Sequence, residues 1–195
     1  MVLLYYIFLS SGGPNGELGA SMRYLNQRYT MPLREVQGLL TDIGTEELSH
    51  MEMVASIVYQ LTKGMTPEQL EAQGFADYFV DHTTGIYPVS ASGVPFSAAT
   101  FQSLGDAVAD LNEDLAAEQK ARTTYDNILR LADDPDVRDA IRFLREREIV
   151  HYQRFGEGLR LIQDELSRIN PENPYAMNPS FDPVAMRPMP RAGRA

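Results

Sequence analysis

One pattern constrains this chain more than any other: Glu, then twenty-nine residues, then Glu-x-x-His, and it occurs twice. Glu17 precedes Glu47 by thirty positions, and His50 follows. Glu118 precedes Glu148 by thirty, and His151 follows. The Glu-x-x-His spacing puts both side chains on one face of a helix. The midpoint of the first pair is Pro32 and that of the second is Asp133, each inside a turn-forming stretch. A chain that runs about 20 Å along one helix and the same distance back returns to its starting level. Glu17 therefore faces Glu47, and Glu118 faces Glu148, at matched depth. Tyr24 and Tyr125 extend the repeat, each seven residues beyond the first Glu of its unit. The chain reads as a duplicated αα-hairpin with a pseudo-twofold axis.

Four helices are expected, over Gly16–Tyr29, Leu33–Lys63, Asp106–Leu131 and Pro135–Ile169. Thr30-Met31-Pro32 separates the first two, and Asp133-Asp134-Pro135-Asp136 the last two, with Asp134 as N-cap and Pro135 at N1. Short connections make each pair antiparallel. The roughly forty residues between the hairpins carry a small helix with a capping box at Thr66 and Gln69, stopped at Gly74. So long a link is explained if the second and third helices run parallel and the chain crosses the bundle between them, as in ferritin-like folds. The expected class is all-α, a ferritin-like four-helix bundle over 1–169. A Pro-, Met- and Arg-rich tail at 170–195 is either disordered or an arm on a neighbouring subunit.

The glutamates interrupt apolar stripes. Ile141, Leu144, Phe155 and Ile162 share a line with Glu148 and His151; Ile43, Val54 and Ile57 share one with Glu47 and His50; Leu111 and Leu115 lead to Glu118 and Tyr125. Four carboxylates at one depth of an apolar core are costly unless they are neutralised, by protons or by cations, or reach the surface. The matched hairpins favour cations: four Glu and two His suit two divalent ions. Tyr24 and Tyr125 are either core aromatics or phenols bonded to a ligand carboxylate, with Tyr24 the better candidate. Glu46, Glu52 and the run Arg145–Arg147 read as rim or solvent charges, Met51 and Met53 as packing, and His82 as a loop histidine.

Composition narrows the chemistry further. No cysteine is present, so disulfides, thiolate metal sites and cysteine nucleophiles are excluded. A net charge of −10 argues against nucleic-acid and anionic-membrane partners. The apolar start, residues 1–11, is too short to span a bilayer and lacks a basic n-region, so a buried segment is expected rather than a signal peptide.

The motifs Gly12-Gly13-Pro14-Asn15-Gly16-Glu17-Leu18, Leu40 to His50, Ala116 to Arg122 and Arg145 to His151 together resemble the manganese catalases, and most of all their short CotJC-type spore-coat relatives. The resemblance implies two manganese ions and no haem. It implies metal ligation by Glu17, Glu47, His50, Glu118 and His151, with Glu47 bridging. It gives Glu148 the role of a catalytic proton carrier outside the coordination sphere. Hydrogen peroxide is the implied substrate. A homo-oligomer, in many members a hexamer, is implied, as are spore-coat proteins among the partners and a cytoplasmic or coat location. The chain begins sixteen residues before Glu17, which reads as a missing or altered family N-terminal segment, and Ala117 stands where some relatives carry arginine. The donor set also suits iron, which leaves an iron oxidase as the rival enzyme and a coat assembly protein as the structural rival.

Overall fold

The computed structural model describes residue 7 and residues 10–80, 85–86, 89–90 and 93–169. It is an all-α, ferritin-like bundle of four long helices: α1 (Glu17–Gln27), α2 (Arg34–Thr62), α4 (Ala107–Leu131) and α5 (Pro135–Ile169). A short helix α3 (Pro67–Ala72) lies in the crossover. The expected helices are all present. The first is the most altered, because its last turn tightens into a 3-10 turn over Arg28–Thr30. The crossover also holds structure that the hydrophobic pattern did not announce: a two-residue antiparallel ribbon pairing β1 (Phe79–Val80) with β2 (Gly85–Ile86), and an isolated bridge between Val89 and Pro95. Such short pairings are set by tertiary packing, not by a strand-length alternation.

The helix ends follow the expected chemistry. Asp134 Oδ1 accepts from the amide of Asp136 at 2.9 Å at the start of α5. Asp106 caps α4 by accepting from Val108 and Ala109. Thr66 and Gln69 form the full capping box of α3, and Gly74, at φ 78°, follows that helix in a left-handed conformation that favours glycine.

Cross-helix contacts fix the directions. Tyr24 of α1 reaches Glu118 of α4, whereas Tyr125 of α4 reaches Glu17 of α1, so numbers rise on one helix as they fall on the other. α1 and α4 are therefore antiparallel. Since α1 and α2 form a hairpin, α2 and α4 run parallel, and the crossover spans the bundle between them. α2 and α5 are antiparallel: Arg147 meets Glu46, Arg154 meets Asp42, and the backbone of Gly158 lies against Leu39.

Buried positions on α2 and α5 recur in steps of three and four, from Val36 to Val58 and from Val137 to Leu166. The apolar core is split. One cluster holds Tyr24, Val36, Leu40, Ile43, Leu111, Phe155 and Ile162. The other holds Val54, Val58, Tyr125, Ile128, Ile141 and Leu144, covered by Leu70, Phe75, Tyr78 and Phe79 of the crossover. Between them lies a polar layer. Ile7 is fully buried and packs on the second cluster, as expected for an apolar start. His82 and the tail 170–195 lie outside the described residues.

Candidate metal centre

The polar layer is built from the doubled pattern. Glu17, Glu47, His50, Glu118, Glu148 and His151 are each at most 3 % exposed, and one buried face of each long helix supplies them. Glu47 sits at the centre. Its Oε2 lies 2.7 Å from His50 Nδ1, and its Oε1 lies 2.8 Å from His151 Nδ1. The imidazoles stack with centroids 5.5 Å apart. Glu17 and Glu148 lie on the His50 side, at 4.0 and 3.9 Å from its Nδ1. Glu118 lies on the His151 side, 3.5 Å from its Nδ1. The donor atoms of Glu47, His50, Glu148 and His151 all fall within 4.8 Å of one another, a spacing that fits a shared cation.

The two tyrosines cross between hairpins. Tyr24 donates to Glu118 Oε1 at 2.5 Å, and Tyr125 donates to Glu17 Oε1. Both rings are fully buried, so they are packed aromatics and carboxylate partners at once, and Tyr125 stands equal to Tyr24.

The electrostatics show what the layer lacks. Burial pushes the carboxyls of Glu17 and Glu148 well above their ordinary value, and neighbouring carboxylates push them further. Burial also raises Glu118, against the pull of His151. Burial acts the same way on Glu47, but the close imidazoles of His151 and His50 outweigh it and hold that carboxyl at about 2. Burial lowers His151, while Glu118 and Glu47 raise it to about 10. The layer is thus held by protons where too few positive charges face the acids. Glu47 Oε1, Glu118 Oε2 and Glu148 Oε1 are buried without an aligned hydrogen-bond partner. Orphaned acceptors gathered around a common centre are the expected signature of cation ligands. The residues present fit divalent metal ions.

Two parts of the surroundings overturn the reading of the helix faces. Glu46 is not a plain rim charge. Its carboxylate lies 3.4 Å from His50 Nε2 and 3.2 Å from His151 Nε2, behind both rings. Arg147 is not simply solvated. Its Nε and Nη2 donate to both oxygens of Glu46, at 2.5 and 3.1 Å. Periodicity missed both because they border the buried stripes instead of lying on them. A second buried polar group, Asp114 with Arg23 and Gln27, sits one turn from Glu118 along α4 and against α1. Its signal was present: Asp114 is four residues before Glu118, on the same face.

The geometry agrees with what the chain resembles. Residues 5–186 match the family model described as manganese containing catalase. Protein CotJC of Bacillus subtilis is 53 % identical over 163 residues, covering 84 % of this chain and 86 % of that protein. A probable manganese catalase of Clostridium acetobutylicum is 38 % identical over 156 residues, covering 79 % of this chain and 68 % of that protein. Among solved structures, KatB, a manganese catalase from Anabaena, superimposes with a TM-score of 0.75 at 30 % identity, over 90 % of this chain and 76 % of that one. The chain belongs to the manganese-containing catalase family.

Proposed function

We propose that this protein disproportionates hydrogen peroxide to water and dioxygen at a dimanganese centre. The observation that carries the reading is the set of buried, unpartnered carboxylate oxygens that surround Glu47 between two imidazoles. Glu17, Glu47, His50, Glu118 and His151 would hold the two ions, with Glu47 central to the set. Two manganese ions supply, when bound, the electrons that reduce one peroxide and accept those of the next.

The chain's own residues handle protons and position. Oxidising one peroxide releases two protons, and reducing another takes two up, so the site must store protons between the halves. Glu148 suits that work: it is 2 % exposed, lies beside the ligands, and its raised affinity for a proton comes from burial and from Glu118, Glu17 and Glu47. Tyr24 and Tyr125 hold Glu118 and Glu17 in orientation through their phenols. The apolar clusters on both sides limit solvent access to the layer. Oxygen evolution by purified protein, measured alongside a metal count per chain, tests the reading. Two manganese ions per chain with dioxygen released from peroxide is the expected result. Iron in the site, with no dioxygen released after manganese loading, refutes it.

The likeness to Protein CotJC favours a second role, assembly into a spore coat, with the tail 170–195 as the contact. Deleting that tail should then abolish assembly and leave turnover intact.

A further inference from the structure

Both imidazoles turn Nδ1 towards Glu47 and Nε2 away from it, towards one shared carboxylate. His50 Nε2 faces Glu46 Oε1 at 3.4 Å, and His151 Nε2 faces Glu46 Oε2 at 3.2 Å. These approaches are short but not fully aligned, and neither Nε2 has another hydrogen-bond partner among the described residues. Arg147 grips the same two oxygens from α5 and fixes the plane of the carboxylate.

We propose that Glu46 is a positioning residue that sets the tautomer of both histidines at once, so that each Nδ1 offers its lone pair to a divalent cation. The inference rests on the metal-centre reading above. A neutral imidazole carries one N–H, and the group facing one nitrogen decides which nitrogen bears it. A carboxylate has two acceptor oxygens and no donor. It can therefore hold the proton on Nε2 of two rings simultaneously, and its charge strengthens both as ligands. An amide of the same shape cannot. One ring would meet the amide oxygen and keep its tautomer. The other would meet an N–H, move its own proton to Nδ1, and lose the lone pair that binds metal. Adjacent Glu47 serves the front of both rings and Glu46 the back, so two neighbouring residues on α2 govern both nitrogens of both histidines.

The test is a manganese titration of the full-length, metal-free chain, read as ions retained per chain and by electron paramagnetic resonance. The wild type is expected to retain two coupled ions. Glu46→Ala leaves room for water behind both rings and should retain two, with affinity lowered about 10- to 100-fold. Glu46→Gln should retain one, with the six-line spectrum of an isolated manganese(II). Arg147→Met keeps the carboxylate and should retain two, which keeps the test open if Glu46→Gln does not fold. Two ions at wild-type affinity in Glu46→Gln would overturn the proposal, as would loss of one ion in Arg147→Met. A wild-type chain that retains fewer than two ions fails at the first measurement, and so overturns the underlying reading separately from this one.

Discussion

Tyr24 and Glu118 are 94 residues apart in sequence and 2.5 Å apart in space, joined by a phenol hydrogen bond across the two hairpins. Tyr125 and Glu17 make the reciprocal bond. Each half of the duplicated chain thus steadies a carboxylate of the other half. Neither hairpin can complete its own side of the centre.

Removing one phenol should act on one side of the centre only. Tyr24→Phe keeps the ring and its edge contact with Phe155 at 4.8 Å, but leaves Glu118 without its donor. Manganese affinity should fall about tenfold, as for other lost partners of metal ligands. Isothermal titration should show one weakened and one unaltered site. Tyr125→Phe should give the same pattern by way of Glu17.

Glu148→Gln separates binding from turnover. The amide is nearly the same size but carries no exchangeable carboxyl proton. Manganese content should be unchanged, and kcat should fall by roughly 10²-fold or more, the typical weight of a positioned proton carrier. Full oxygen evolution from this variant would remove Glu148 from the mechanism.

Metal removal should reverse the pH dependence of stability at neutral to alkaline pH. In the metal-free protein the His151 value is raised to about 10, above its ordinary 6.5. Its stabilising contribution is therefore complete below pH 6.5 and lost as pH rises through 10. Glu17 and Glu148 are also raised, so their contribution too is lost as pH rises. Glu47, held at about 2, has the opposite sign and matters only as pH falls below 4.5. The metal-free Tm should drop by roughly 5 °C or more between pH 6.5 and 10, at about 2–4 °C per kcal/mol. With manganese bound, cations replace those protons, and Tm should hold or rise over the same window. Differential scanning calorimetry on both forms checks this.

Phe155 tests how the apolar layer supports the polar one. It is fully buried and meets the Tyr24 ring edge-on. Phe155→Ala should cost about 3–5 kcal/mol of stability, measured by denaturant unfolding. It should also weaken manganese binding, because Tyr24 loses the neighbour that sets its ring.

By itself the sequence determined the helices, their hairpin pairing and the depth of the six buried Glu and His. Those follow from local rules: periodicity, capping at Thr66 and Asp134, and equal chain lengths on either side of Pro32 and Asp133. Tertiary structure decided what lies beside the stripes. Glu46 and Arg147 are a charged pair from two helices that meet only because α2 and α5 pack antiparallel. Arg23, Gln27 and Asp114 look like surface residues until α1 closes on α4 and buries them. The same docking pairs each tyrosine with the opposite hairpin. A periodic pattern records which face of a helix is buried, but not which side chain of another helix arrives there, because that contact depends on long-range packing.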